Sequence, residues 1–168
     1  ATLSARNRAQ LMQALPYATQ IHACVVEIDP ETGVTDVIDY AAVDDCGVRV
    51  NPQIVEGQVM GATAHAIGAA LWESFAYDEE GNLLTPNFYD YHVPHTLDMP
   101  PLKTAAIESP SPFTPLGTKG MGEGGGGGIH CICAAIQDAL DASGRAIVTS
   151  SYNPYHRVWE MLREPERS

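Results

Sequence analysis

The stretch Gly120-Met121-Gly122-Glu123, continued by Gly124 to Gly128, constrains this chain most, because it sets one carboxylate among seven glycines just ahead of an apolar segment. Glycine lets backbone pass close to a ligand and tolerates positive φ. The apolar residues Ile129, Cys133, Ile136 and Leu140 then recur at helical spacing, so a helix beginning there presents unpaired N–H groups to an anion. That geometry puts Glu123 at the mouth of a ligand site. The same run also reads as a flexible linker with an incidental acid.

The rest of the chain has the makings of an ordinary core. With 168 residues, 45% of them hydrophobic, it fits one domain, and we treat residues 1–168 as one unit with a polar lead over residues 1–20. A net charge of -12 and a pI near 4.7 argue against nucleic acid or an anionic membrane as partner, since both demand clustered Lys and Arg. No apolar run approaches the roughly 18 residues of a membrane span, and the first twenty residues carry no export signal. Cys24, Cys46, Cys131 and Cys133 have neither the number nor the spacing of a disulfide framework or a Cys-x-x-Cys zinc site. They read as reduced thiols of a cytoplasmic protein.

Along the chain, the segment 5–15 is weakly helical and breaks at Pro16. His22 to Asp29 and Val34 to Val43 are rich in β-branched residues, and Pro30-Glu-Thr-Gly33 between them supplies a turn. This pattern predicts a hairpin. Asn51-Pro52 is a helix start, and apolar residues recur every three or four positions from Ile54 to Phe75, which predicts a helix with one buried face. Gly57, Gly61 and Gly68 interrupt it. Each costs about 1 kcal/mol relative to alanine inside a helix, so a close-packed backbone or a cofactor is expected against them. Tyr77 to Asn82 is a second turn. The proline-rich stretch from Leu83 to Pro115 excludes long helices, with Thr104 to Glu108 its best strand. Ile147 to Thr149 reads as a short strand and Tyr155 to Leu162 as a last helix.

Several chemistries fall away on inspection. Gly120-x-Gly122-x-x-Gly125 formally matches a dinucleotide fingerprint, but a proline-rich segment stands where the preceding strand belongs. His92 and His95 flank a proline and have no nearby third ligand, a poor zinc site. No nucleophile elbow is present. Glu123 stands alone as the acid–base candidate, and no metal ligand is assigned.

Ordered blocks along nearly the whole chain resemble the C-terminal part of the molybdenum-binding subunit of xanthine dehydrogenases, aldehyde oxidases and aerobic carbon monoxide dehydrogenases. They are Val26 to Gly33, Val43-Asp-Asp-Cys-Gly47 with Val50-Asn-Pro52, Val55 to Gly61, Tyr77 to Gly81, Ser109-Pro-Ser-Pro112 and, most specific, Pro115-Leu-Gly-Thr-Lys-Gly-Met-Gly-Glu123. The resemblance implies that Glu123 is the general base acting on a metal-bound hydroxyl. It also implies that Lys119, Gly120, Met121 and Gly122 line the pterin side of the cofactor, their N–H groups serving as donors. Asp44 and Asp45 fall in a block that contacts the dinucleotide or pterin part in relatives. Otherwise they are a solvated turn.

Two departures from that family stand out. His65 and Ala66 occupy the place where relatives commonly carry Gln-Gly on the pterin, so His65 is expected either to donate in the glutamine's stead or to have lost the contact. The uniform run Gly124 to Gly128 replaces a segment that usually holds Ala or Pro.

The expected fold is α+β: half of a molybdopterin-binding domain, two antiparallel hairpins packed with a long glycine-containing helix and two C-terminal helices. The expected function is oxidative hydroxylation of a small molecule, with water-derived oxygen. The substrate is an aldehyde, an N-heterocycle or carbon monoxide. The cofactor is molybdenum-molybdopterin in dinucleotide form, shared with a further molybdopterin-binding segment or subunit. Iron–sulfur (2Fe-2S) and flavin (FAD) groups are expected on partner chains, and this polypeptide is expected to be a small subunit or fragment, incomplete as an enzyme. The rival expectation is a cofactor-free binding or structural module that keeps the family's fold.

Overall fold

The computed structural model describes residues 17–122, 126–141 and 147–164. The expected helix over 5–15 lies outside them. Strand β1 (Thr19–Ile28) pairs antiparallel with β2 (Thr35–Asp45), with a bulge between Val25 and Val26. The turn joining them is built by Asp29, whose carboxylate accepts from Glu31 N at 2.8 Å and from the Thr32 hydroxyl at 2.7 Å. Gly33 closes it at φ +77°, a conformation that disfavours other residues. The hairpin is therefore where the sequence places it.

Helix α1 spans Pro52–Leu71, with proline in its first turn and the Asn51 side chain accepting from Ile54 N at 3.2 Å. It ends four residues before the expected Phe75. Its buried face is Val59, Thr63, Ala66, Ile67, Ala70 and Leu71, the three-and-four spacing that the sequence displays.

The second β unit differs from expectation. Strand β3 is Leu102–Ala106 and runs parallel to β2, giving the order β1-β2-β3. It makes no hairpin, because parallel neighbours need a crossover and α1 lies in the connection between them. The expected turn at Tyr77 to Asn82 is formed: the Asp78 carboxylate accepts from Asn82 N at 2.7 Å, Gly81 sits at φ +86°, and Tyr77 makes an isolated bridge with Leu83.

Helix α2 (Gly128–Asp141) and helix α3 (Tyr155–Met161) complete the fold. Residues 147–150 adopt no strand. Their place is fixed by side-chain contacts instead: Val148 N donates to Gln137 Oε1 at 2.7 Å, and Ser150 O accepts from Asn153 Nδ2 at 2.8 Å.

The core sits between one face of the sheet and the helices. It joins Tyr40 and Ala42 of β2, Val59, Ala66, Ile67 and Ala70 of α1, Ile132, Ile136 and Leu140 of α2, and Val158 and Met161 of α3. The architecture is α+β, as expected. Among the described residues no helix is long and apolar enough to cross a membrane.

Candidate functional site

Two strands of evidence locate the site: where backbone is left bare, and where polar groups gather. Gly57 and Gly61 lie on the side of α1 away from its buried face, and a Cβ built on either meets nothing within 4 Å. Gly68 is different. A Cβ there would come within 2.6 Å of Pro94 Cγ, so its absence serves packing inside the chain. The helix thus carries one structural glycine and two that face open space.

That open space is a groove. A cavity of about 240 Å³ is lined by Gly57, Gln58, Gly61, Ala62, His65 and Gly122. A second, of about 430 Å³, shares Ala62, His65 and Gly122 with it and continues over Ala69, Glu73, Gly126 and Ile129. One wall is α1 and the other is the glycine segment leading into α2. Of the residues expected at a cofactor, the groove brings together His65 and Gly122. Gly57, Gly61 and Gly126 join them. The sequence flagged the helical glycines but gave no means of telling which faced outward.

The other described residues expected at a cofactor are placed elsewhere. Glu123, with Gly124 and Gly125, lies outside the described residues. Gly120 is exposed and Met121 is partly buried against the core. Lys119 is drawn back toward β2: its Nζ lies 3.2 Å from Asp45 Oδ2, and its N donates to Cys46 O at 2.7 Å. Asp45 also accepts through Oδ1 from Gly47 N at 3.0 Å and Ser109 N at 3.1 Å. The Ser109 side chain, those amides and Lys119 hold its carboxyl well below the usual carboxylate range. Gly47 and Gly117, both at positive φ, pack there. Gly117 O accepts from Val48 N at 3.1 Å and from Ser111 N at 2.9 Å. Asp45 and Lys119 therefore clamp the start of the glycine segment to the end of β2.

Asp44 points the other way, into the core side of the sheet. It is 3% exposed and its Oδ1 has no hydrogen-bond partner. Burial pushes its pKa up, opposed by His22 and by a hydrogen bond from Gln20. It lines a separate cavity of about 140 Å³ with Arg49, Glu56 and Thr104, away from the groove.

His92 and His95 both address Asp98, at 3.1 and 3.3 Å, where His95 and Asp98 cap a short 3-10 turn. Among the described residues no group of three or more His, Cys, Asp or Glu could hold a metal ion.

The donor set suits a flat, hydrogen-bonding ligand. Two bare glycines spaced one turn apart leave a smooth floor that a Cβ would fill, His65 offers a ring nitrogen at its edge, and the first amides of α2 are available at the far wall. Among the described residues no Lys or Arg lines the groove.

Known proteins resemble this chain in sequence and fold. A family model described as molybdopterin cofactor-binding domain matches residues 3–100. The chain is 39% identical over 148 residues to the carbon monoxide dehydrogenase large chain of Afipia carboxidovorans, covering 88% of this chain and 18% of that protein. It is 45% identical over 128 residues to the nicotine 6-hydroxylase large subunit of Paenarthrobacter nicotinovorans, covering 75% and 16%. Among solved structures, quinoline 2-oxidoreductase from Pseudomonas putida 86 superposes with a TM-score of 0.80 at 42% identity, over 86% of this chain and 18% of that one. The chain therefore spans less than a fifth of the length of these relatives.

Proposed function

Because this chain belongs to the molybdopterin cofactor-binding domain family, we propose that it supplies one wall of a molybdenum-molybdopterin site in an enzyme of oxidative hydroxylation. The observation that carries the reading is the groove between Gly57, Gly61 and His65 on α1 and Gly122 and Gly126 on the facing segment. The bare helix backbone accepts the face of the pterin, and His65 donates to or accepts from its edge.

When bound, the cofactor takes up the two electrons of the substrate's oxidation. Within this chain, the Glu123 carboxylate takes up the proton released as water-derived oxygen is added to substrate, the work of a general base. Met121 packs its side chain on the core. The Asp45–Lys119 clamp fixes where that segment leaves the sheet. Lys119 acts through this clamp rather than through direct contact with the cofactor.

The substrate is an aldehyde, an N-heterocycle or carbon monoxide. Since the chain is under a fifth of its relatives' length, the rest of the cofactor pocket belongs to a further molybdopterin-binding segment, and 2Fe-2S and FAD groups belong to partner chains.

Metal analysis of the protein purified from its native source, with whatever co-purifies, tests the reading. About one molybdenum per copy, with iron, is expected for a site of this type. A metal-free protein under the same purification would leave only the family fold, as a cofactor-free module.

A further inference from the structure

The glycine segment ends on polar side chains in the middle of an apolar layer. A Cβ on Gly128 would lie 2.7 Å from Tyr40 Oη, and one on Gly127 would lie 3.3 Å from His22 Cδ2. Two consecutive glycines thus rest their backbone directly on the His22–Tyr40 pair. Tyr40 is 1% exposed, and a buried hydroxyl is costly unless bonded. It is bonded to His22 Nδ1, at 3.0 Å.

The pair is itself held in one orientation. Gln20 Oε1 lies 3.3 Å from His22 Nε2. An amide oxygen only accepts. His22 Nε2 therefore carries the proton, Nδ1 accepts, and Tyr40 donates. A single chain of donors runs from Tyr40 through His22 to Gln20.

Ordering a glycine-rich segment costs more conformational entropy than ordering any other, so its two ends decide how well its middle is placed. One end is the Asp45–Lys119 clamp. The other is this platform, continued by Cys131 N donating to Gly127 O at 3.2 Å. Glu123 lies in sequence between the two.

We propose that His22 and Tyr40 are positioning residues, which seat Gly127 and Gly128 on the hairpin and so fix the presentation of the segment that carries Glu123. The proposal rests on the reading of Glu123 as the base.

The test uses the full-length protein with its partners, as wild type, Tyr40→Phe, His22→Ala and His22→Gln, and reads amide hydrogen exchange together with kcat and KM. Tyr40→Phe and His22→Ala are expected to speed exchange at 126–131 by about fivefold, the factor that one hydrogen bond of ordinary strength contributes. The β1–β2 amides stay unchanged, and kcat falls at constant KM on whichever aldehyde, N-heterocycle or carbon monoxide the wild type oxidises. His22→Gln, which can still accept from Tyr40, restores both. Unchanged exchange at 126–131 in a folded Tyr40→Phe protein overturns the proposal. If Tyr40→Phe does not fold, the two His22 variants decide alone, with equal exchange in both overturning it. If the protein proves free of molybdenum, the enzyme reading fails while the exchange result still stands or falls by itself.

Discussion

Tyr40 Oη lies 3.0 Å from His22 Nδ1, directly beneath the glycines that open α2. Burial lowers the pKa of His22 below its ordinary value, and the charge of Asp44 offsets only part of that. Cys24 of the same strand and Cys131 of α2 lie in the same layer.

The sign of the pH dependence follows. A base whose folded pKa is lowered is neutral in the native state, so the unfolded chain binds the extra proton and stability falls as pH drops below about 6.5. Chemical denaturation between pH 7.5 and 5 is expected to show that fall in wild type and a smaller one in His22→Gln. Equal slopes would mean that folding leaves the pKa of His22 unshifted.

The glycines of α1 are expected to respond with opposite signs. Gly57→Ala and Gly61→Ala meet open space and should raise the stability of the cofactor-free protein by about 0.5–1 kcal/mol each, while lowering the molybdenum content of the loaded enzyme. Gly68→Ala, which runs into Pro94, should destabilise both. Thermal melting and metal analysis on the three variants check this, and undiminished molybdenum in Gly61→Ala would exclude the groove as cofactor floor.

Glu123→Gln keeps the size of the side chain and removes the base. Molybdenum content should stay at the wild-type level and kcat should fall about 10²- to 10⁴-fold. Turnover at the wild-type rate would assign the proton transfer to another residue.

Cys24 Sγ lies 3.5 Å from Cys131 Sγ, and burial with that neighbour pushes the Cys24 thiol up to about 12. Thiolate is the reactive form, so Cys24 should resist iodoacetamide at pH 8 in the folded protein and react on unfolding. Peptide mass spectrometry over a time course reads this directly, and rapid native labelling of Cys24 would contradict its placement.

The Asp45–Lys119 pair closes the near end of the glycine segment. Because the Asp45 carboxyl titrates well below its ordinary value, its contribution is present above about pH 4 and lost as pH falls through the folded value. Asp45→Asn should therefore be less stable than wild type at pH 6 and should converge on it in strong acid, as denaturant midpoints at the two pH values would show.

Much of the fold was legible because local chemistry dictated it. Pro30-Glu-Thr-Gly33 makes only a turn, Asn51-Pro52 caps a helix, and the three-and-four spacing after Ile129 gives α2. The misses are those that depend on distant partners. Thr104 to Glu108 was rightly taken as extended, but its own residues do not say that it joins β2 in parallel. Ile147 to Thr149 has the composition of a strand yet finds no strand beside it, and Gln137 takes its hydrogen bond instead.

The candidate site divides the same way. The sequence by itself determined the family motif ending in Glu123 and the presence of glycines inside α1, because turn chemistry, capping and backbone freedom are properties of neighbouring residues. Only the tertiary structure decided that Gly57 and Gly61 face the groove while Gly68 faces Pro94, that Lys119 is spent on Asp45, and that Tyr40 and His22 support Gly127 and Gly128. Those are contacts between residues far apart in the chain, and packing alone sets which side of a strand or helix meets which neighbour.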